Sequence, residues 1–191
     1  MTSDTREKMV KAAALLFGER GYAAVSFQDV IARSGAPRGS IYHHFPGGKE
    51  QLAAEALRWY AERTRAKMAA DREAGGPAVD AVSGYFTSIA YWLRKTDYRA
   101  GCPVGAVALD LGDDDALQQV VREAFDDWRR VLERAFLDEG CAPGQARAFA
   151  ALVIAASEGG IMLARAERDV RPYEDATSEV LAHLRGVLQP A

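Results

Sequence analysis

Apolar residues recur along the chain at spacings of three and four, the period of a helix. No stretch alternates for long enough to read as a strand. Met9, Ala13, Leu16 and Phe17 form the first stripe, behind polar Thr2, Ser3 and Asp4 that can cap it. Gly18 and Gly21 bracket its end. Leu52, Ala53, Ala56, Leu57 and Tyr60 share one face of a predicted helix over residues 49–72, broken by Gly75-Gly76-Pro77. Residues 78–95 carry Tyr85, Phe86, Ile89, Trp92 and Leu93 on a further helix. The clearest periodicity lies in 114–138, where Leu117, Val120, Val121, Ala124, Phe125, Trp128, Val131, Leu132, Ala135 and Phe136 make one continuous stripe. Asp113-Asp114-Asp115 suits the positive end of that helix. Gly140 ends it, and Pro143 opens the next in the first-turn position that proline tolerates. Residues 144–166 are rich in Ala and Gly and apolar nearly all round, the pattern of a helix covered on several sides. A last helix runs from about Tyr173 to Leu188. The pattern predicts an all-α chain of about nine helices. A boundary near residue 48 separates a three-helix head (1–48) from a C-terminal helical bundle (49–191).

The head carries the most specific local chemistry, in VSFQDVIARSGAPRGSIYHHFPGGK at residues 25–49. Ser26 precedes Phe27-Gln28-Asp29, an approximate capping box in which the hydroxyl accepts from the backbone N–H of Asp29. A short helix follows, with Val30 and Ile31 inward. Gly35 stands where a left-handed cap is needed. Pro37 is expected to start a second short helix anchored by Ile41 and Phe45. Two short helices around a tight glycine turn make a helix-turn-helix, whose second helix enters a DNA major groove. Arg38, Ser40, Tyr42, His43 and His44 are left on its outer side. Arg38 suits a guanine edge. Gly39 allows the backbone to approach closely, and Tyr42 and His43 can donate to phosphates. Ser26 and Gln28, at the start of the first short helix, are further phosphate candidates. Lys49, at the start of the next helix, adds its charge to the dipole against a phosphate.

Charge supports this division. The 191 residues carry a formal net charge of −3. Residues 1–50 hold seven Lys/Arg against five Asp/Glu, a net +2, so the remainder carries −5. An anion-binding head on an acidic body has this sign. Half the residues are apolar (49%), enough for a substantial core. No N-terminal run resembles a signal peptide, and no stretch approaches the about 18 apolar residues of a membrane span. The expectation is a cytoplasmic protein without a membrane partner.

The head resembles the TetR family of bacterial regulators, through ALLFGERGY, VSFQDVIARSGAPRGSIYHHF and KEQL in register. HHFPGGKEQL, together with Gly101-Cys102-Pro103-Val104, is similar to the LmrA/YxaF-type subgroup. Two features depart from the family pattern. Pro37 stands where Ser or Thr is frequent, and Pro46-Gly47-Gly48 adds a residue before Lys49. The resemblance implies an all-helical homodimer on palindromic double-stranded operator DNA, with a small-molecule effector held in the C-terminal domain. It also implies control of efflux or catabolic genes, and drug-like or flavonoid-like effectors.

All three tryptophans (Trp59, Trp92, Trp128) follow residue 48. Tyr85, Trp92, Cys102, Trp128 and Met162 are the candidates to line a pocket for a mostly apolar, aromatic effector. Each can equally be ordinary core. Small residues on the penultimate helix, Ala155 and Gly159 among them, permit a close helix contact, and Phe149 and Leu152 add apolar area. These four are the candidate dimer interface. Adjacent His43 and His44 point about 100° apart on a helix and cannot share one metal ion well. No metal site, cofactor or catalytic constellation is expected, so the chain reads as a regulator and not an enzyme. The leading expectation is a repressor released by its ligand. The alternatives are an activator, and a redox sensor acting through Cys102 and Cys141.

Overall fold

The computed structural model describes residues 2–73, 76–111 and 115–188. Among them lie nine helices and no strand: α1 (Thr2–Arg20), α2 (Phe27–Ser34), α3 (Ser40–His44), α4 (Gly48–Glu73), α5 (Ala78–Lys95), α6 (Pro103–Asp110), α7 (Asp115–Asp138), α8 (Pro143–Glu167) and α9 (Arg171–Leu188). Of the acidic run before α7, Asp113 and Asp114 lie outside the described residues. The periodicity reading misses α6. This helix is short, contains Gly105, and carries too few turns to show a stripe.

The chain forms two compact units. One holds residues 1–63 and 101–124, the other 64–100 and 125–191. In the first, α1 touches α2, α3 and α6. That explains its composition: Met9, Val10, Ala12, Ala13, Ala14, Leu16 and Phe17 are all buried, because neighbours cover α1 on more than one side. Ile41 and Phe45 of α3, Leu52, Ala53, Ala56 and Leu57 of α4, and Val104 and Val107 of α6 are also buried. Gly18 sits inside α1, where a Cβ would run into the carbonyl oxygen of Gly101 and lie 3.4 Å from Pro103 Cδ. Only a glycine lets the entry to α6 lie this close. Cys102 caps α6, its Sγ accepting from the backbone N–H of Gly105 at 3.4 Å, with Pro103 in the first turn.

In the second unit, α5, α8 and α9 touch one another. The inner face of α5 is Val79, Val82, Phe86, Ala90 and Leu93. Phe149 of α8 lies between the rings of Phe136 and His183, at 5.6 Å from each. A Cβ on Gly160 would stand 2.8 Å from the Tyr173 ring and 3.3 Å from the Tyr173 Cα, so this glycine sets the spacing of α8 and α9. Arg94–Glu174 (2.6 Å) and Arg168–Asp97 (2.5 Å) tie the exposed ends of these helices. Such exposed pairs contribute little each.

Gly160→Ala tests the close approach by the sign of its effect. Helix propensity alone favours alanine by about 1 kcal/mol. The overlap with Tyr173 should reverse this and destabilise the protein by about 1–3 kcal/mol. Gly186→Ala in α9, with open space around the added carbon, should be neutral or stabilising. Urea unfolding of both variants reads the difference.

Candidate nucleic-acid interface

Local hydrogen bonds build the helix-turn-helix. The N–H of Asp29 donates to Ser26 Oγ (3.2 Å), and the N–H and hydroxyl of Ser26 donate to Asp29 Oδ2 (2.8 and 2.5 Å). The capping box is complete. Bonds from Ser26, with Arg20 nearby, hold the Asp29 carboxyl below the usual carboxylate range. Arg20–Asp29 (3.1 Å) and a two-bond contact of Arg33 with Glu19 (2.6 and 2.8 Å) join α1 to α2. Gly35 closes α2 at φ +68°, its N–H on the Ile31 carbonyl.

The second short helix differs from expectation at its start. The N–H and hydroxyl of Ser40 both donate to the Pro37 carbonyl (3.0 and 2.6 Å). Pro37–Ser40 is therefore a turn, and α3 begins at Ser40 instead of Pro37. Arg38 and Gly39 lie in the turn, exposed to solvent. Ile41 and Phe45 are buried as the anchors expected. Tyr42 is 68% exposed, with its ring edge-on to Phe27 at 5.4 Å. His43 is exposed and His44 half-buried. Among the described residues no cluster of three or more metal-ligating side chains occurs.

Gln28 is exposed in the first turn of α2, whereas the Ser26 side chain is engaged as the cap. Lys49 is half-buried. Its ammonium lies 4.3 Å from the centre of the Tyr22 ring and donates to the Ala23 carbonyl at 3.4 Å. Burial pushes Lys49 below the usual lysine range, and the charges of Asp110 and Asp29 work against that shift.

A chain of contacts invisible to periodicity holds the loop before Lys49. The N–H of Gly47 donates to Gln51 Oε1 (2.9 Å), and Gln51 Nε2 donates to Glu55 Oε1 (3.1 Å). Arg6 of α1 donates to the same oxygen (2.6 Å) while stacking over the Phe45 ring at 5.2 Å. The extra residue in Pro46-Gly47-Gly48 is taken up in a turn, with Gly48 at φ +75° and its N–H on the Phe45 carbonyl.

Residues 9–56 match the family described as bacterial regulatory proteins, tetR family, and residues 78–179 match the C-terminal domain of LmrA/YxaF-like transcriptional regulators. The second match covers more than half of the chain. The chain belongs to the TetR family. It is 40% identical over 175 residues, 88% of each chain, to an uncharacterized HTH-type transcriptional regulator of Mycobacterium tuberculosis. It is 35% identical to the HTH-type transcriptional regulator LmrA of Bacillus subtilis, covering 88% of this chain and 90% of the relative. A TetR transcriptional regulator of Chloroflexus aurantiacus superposes with a TM-score of 0.76 at 30% identity, covering 96% of this chain and 95% of that one. The protein is thus a transcriptional regulator and not an enzyme, of a family whose members bind operator DNA and form dimers.

In this regulator the five candidate ligand residues differ in burial. Tyr85 and Trp128 are buried in the second unit. The Tyr85 hydroxyl is 3.3 Å from Ser157 Oγ, and Trp128 meets Phe125 edge-on at 5.5 Å. Trp92 is 44% exposed beside Tyr91, with the Lys95 ammonium 5.3 Å from its ring centre. It faces out because the Val79–Val82–Phe86–Ala90–Leu93 stripe faces in. Met162 is 60% exposed on α8. Cys102 belongs to the first unit, as does Trp59. Three hydroxyls share the buried second unit with Tyr85: Thr177 and Tyr173, which the pattern did not single out, and Ser157, expected among the small residues of the dimer contact but buried within its own chain. Among the described residues the Tyr173 hydroxyl has no hydrogen-bond partner of good geometry. Burial raises its pKa strongly, and nearby Ser157 only partly offsets this.

Of the candidate dimer residues, Leu152 and Ala155 are exposed and Gly159 half-exposed, in line with exposed Ala148, Ala151, Met162, Leu163 and Ala166. Phe149 departs from this set. It is buried within its own chain because the rings of Phe136 and His183 enclose it.

Two measurements check the head. Ser26→Ala should cost about 1 kcal/mol of stability through loss of the cap. The pH dependence carries a sign. Asp29 is held below its ordinary 3.8, so its stabilisation is present above about pH 4 and is lost as pH falls through the lowered value. Asp29→Asn should remove this part of the acid sensitivity, read by thermal melts from neutral to acid pH.

Proposed function

We propose that the chain is a cytoplasmic repressor that binds a palindromic operator as a homodimer and releases it when a mostly apolar small molecule binds the C-terminal domain. The observation that carries the DNA reading is the outward set Arg38, Gly39, Tyr42 and His43 on a turn and helix pinned from behind by Ile41 and Phe45. Gln28 and Lys49 flank this set as phosphate contacts, and Ser40 fixes its turn. The mechanism follows from these groups. Arg38 reads a base edge with two donors, and Tyr42, His43 and Lys49 hold phosphates and set the register.

Arg38→Ala should weaken binding to the selected operator by about 1–3 kcal/mol and relax preference at one base pair per half-site. Lys49→Ala should weaken binding to every sequence and lower the salt slope by about 1. Fluorescence anisotropy across a salt series separates the two. Wild-type affinity in Arg38→Ala would remove that residue from the groove.

Support for the homodimer is the exposed apolar stripe of α8. Two copies related by a two-fold axis can bury it, and its small residues allow close approach. Ala155→Trp should shift the sedimenting species towards monomer and weaken operator binding, since one chain reaches only one half-site. A stable wild-type monomer at micromolar concentration would contradict this.

Support for the effector is the interior of the second unit, where Tyr85, Ser157 and Tyr173 place hydroxyls among aromatic rings. Hydroxyls beside aromatic rings suit an aromatic molecule held by few polar groups. Release requires that the ligand prefer the state unable to bind DNA. Aromatic compounds that quench Trp128 should also release operator DNA, and Ser157→Ala should weaken both effects together. Quenching with unchanged DNA affinity would count against coupling. Redox control has less support. No disulfide joins Cys102 and Cys141, and burial with the Glu139 charge pushes Cys141 up, away from the reactive thiolate.

A further inference from the structure

Ala23, in the turn between α1 and α2, is gripped on both of its backbone polar groups by side chains remote in sequence. Its N–H donates to Asp110 Oδ2 at 3.1 Å, from the last residue of α6. Its carbonyl accepts from Lys49 Nζ at 3.4 Å, from the first turn of α4. The carboxylate and the ammonium thus flank a single residue. Room for the carboxylate is made by Gly21, where a Cβ would stand 2.6 Å from Asp110 Oδ2 and where φ is +81°. Asp29, the other acid whose charge reaches Lys49, is already bonded to Ser26 and Arg20.

We propose that Asp110 is a positioning and charge-setting residue for DNA binding: it fixes the α1–α2 turn on which Lys49 rests and supplies a negative charge that DNA phosphate must outcompete for the Lys49 ammonium. The proposal rests on the reading of Lys49 as a phosphate contact. Lys49 is held in place by the Tyr22 ring, the Ala23 carbonyl and the Asp110 field. A phosphate gains this cation only by displacing part of that hold. Asp110 therefore lowers intrinsic DNA affinity while keeping the turn in shape.

Asp110→Asn separates the two roles, because the amide oxygen still accepts from the Ala23 N–H while the charge is gone. Its affinity for a random-sequence duplex, which reads phosphate contacts alone, should rise roughly two- to fivefold at low salt. The gain should shrink as salt screens the pair. It should vanish in the Lys49→Ala background. Affinity equal to or below wild type in Asp110→Asn, or a gain that survives in Lys49→Ala, overturns the proposal while leaving Lys49 as a phosphate contact. Wild-type affinity and salt slope in Lys49→Ala would instead overturn the reading of Lys49, and the proposal with it. If Asp110→Asn does not fold, Asp110→Gln keeps a neutral amide acceptor and carries the same comparison.

Discussion

The C-terminal half of α1 is the constraint on which the DNA-binding unit depends. Its buried face must carry α2 and α3 on one part and α6 on another, within a few turns of helix. Bulk is needed at Phe17, which is buried against this core with Tyr22 at 5.6 Å. Absence of bulk is needed at Gly18 and Gly21, where the two ends of the α6 segment arrive as the Gly101 carbonyl and the Asp110 carboxylate. The same stretch supplies Glu19 and Arg20, which hold Arg33 and Asp29 of α2. The helix-turn-helix is therefore oriented from one surface, and its outward residues inherit that orientation. Apolar burial provides most of the energy, and the polar contacts select the geometry.

The turn at Ala23 shows how polar atoms complete this arrangement. Asp110 and Lys49 satisfy its N–H and carbonyl from opposite sides. The Arg6–Glu55–Gln51–Gly47 chain does similar work for the loop after α3. Both join residues that only the fold brings together.

Sequence legibility follows from the range of the forces involved. The capping box at Ser26–Asp29 and the left-handed Gly35 are local, and both are visible in the sequence and present in the structure. The stripes of α5, α7 and α8 are long enough to declare themselves. The start of α3 is not, because a proline at residue 37 suits a turn as well as a first helical position. Helix α6 is too short and too apolar to show a period. Exposure of Trp92 and Met162 was illegible for a different reason. A large apolar residue signals burial somewhere, in the chain's own core or under a partner, and the pattern alone does not say which. Helix α8 sharpens this point. Against the expectation that no stretch approaches a membrane span, this helix is long and apolar enough, by length and composition, to cross one. In the structure Phe149, Val153 and Ile161 face its own core, and Leu152, Met162 and Leu163 form an outward stripe. An apolar inward face and an apolar outward face read as one apolar helix.

Amide hydrogen exchange of the full chain, with and without a duplex carrying its selected operator, tests the account most directly. It can report on every segment at once, without any substitution. The predicted result is slowed exchange on DNA binding at residues 27–29 and 38–49, where α2, the Pro37–Ser40 turn, α3 and the start of α4 present their outward groups. Slowed exchange confined to residues 125–188, with 38–49 unchanged, would contradict the account.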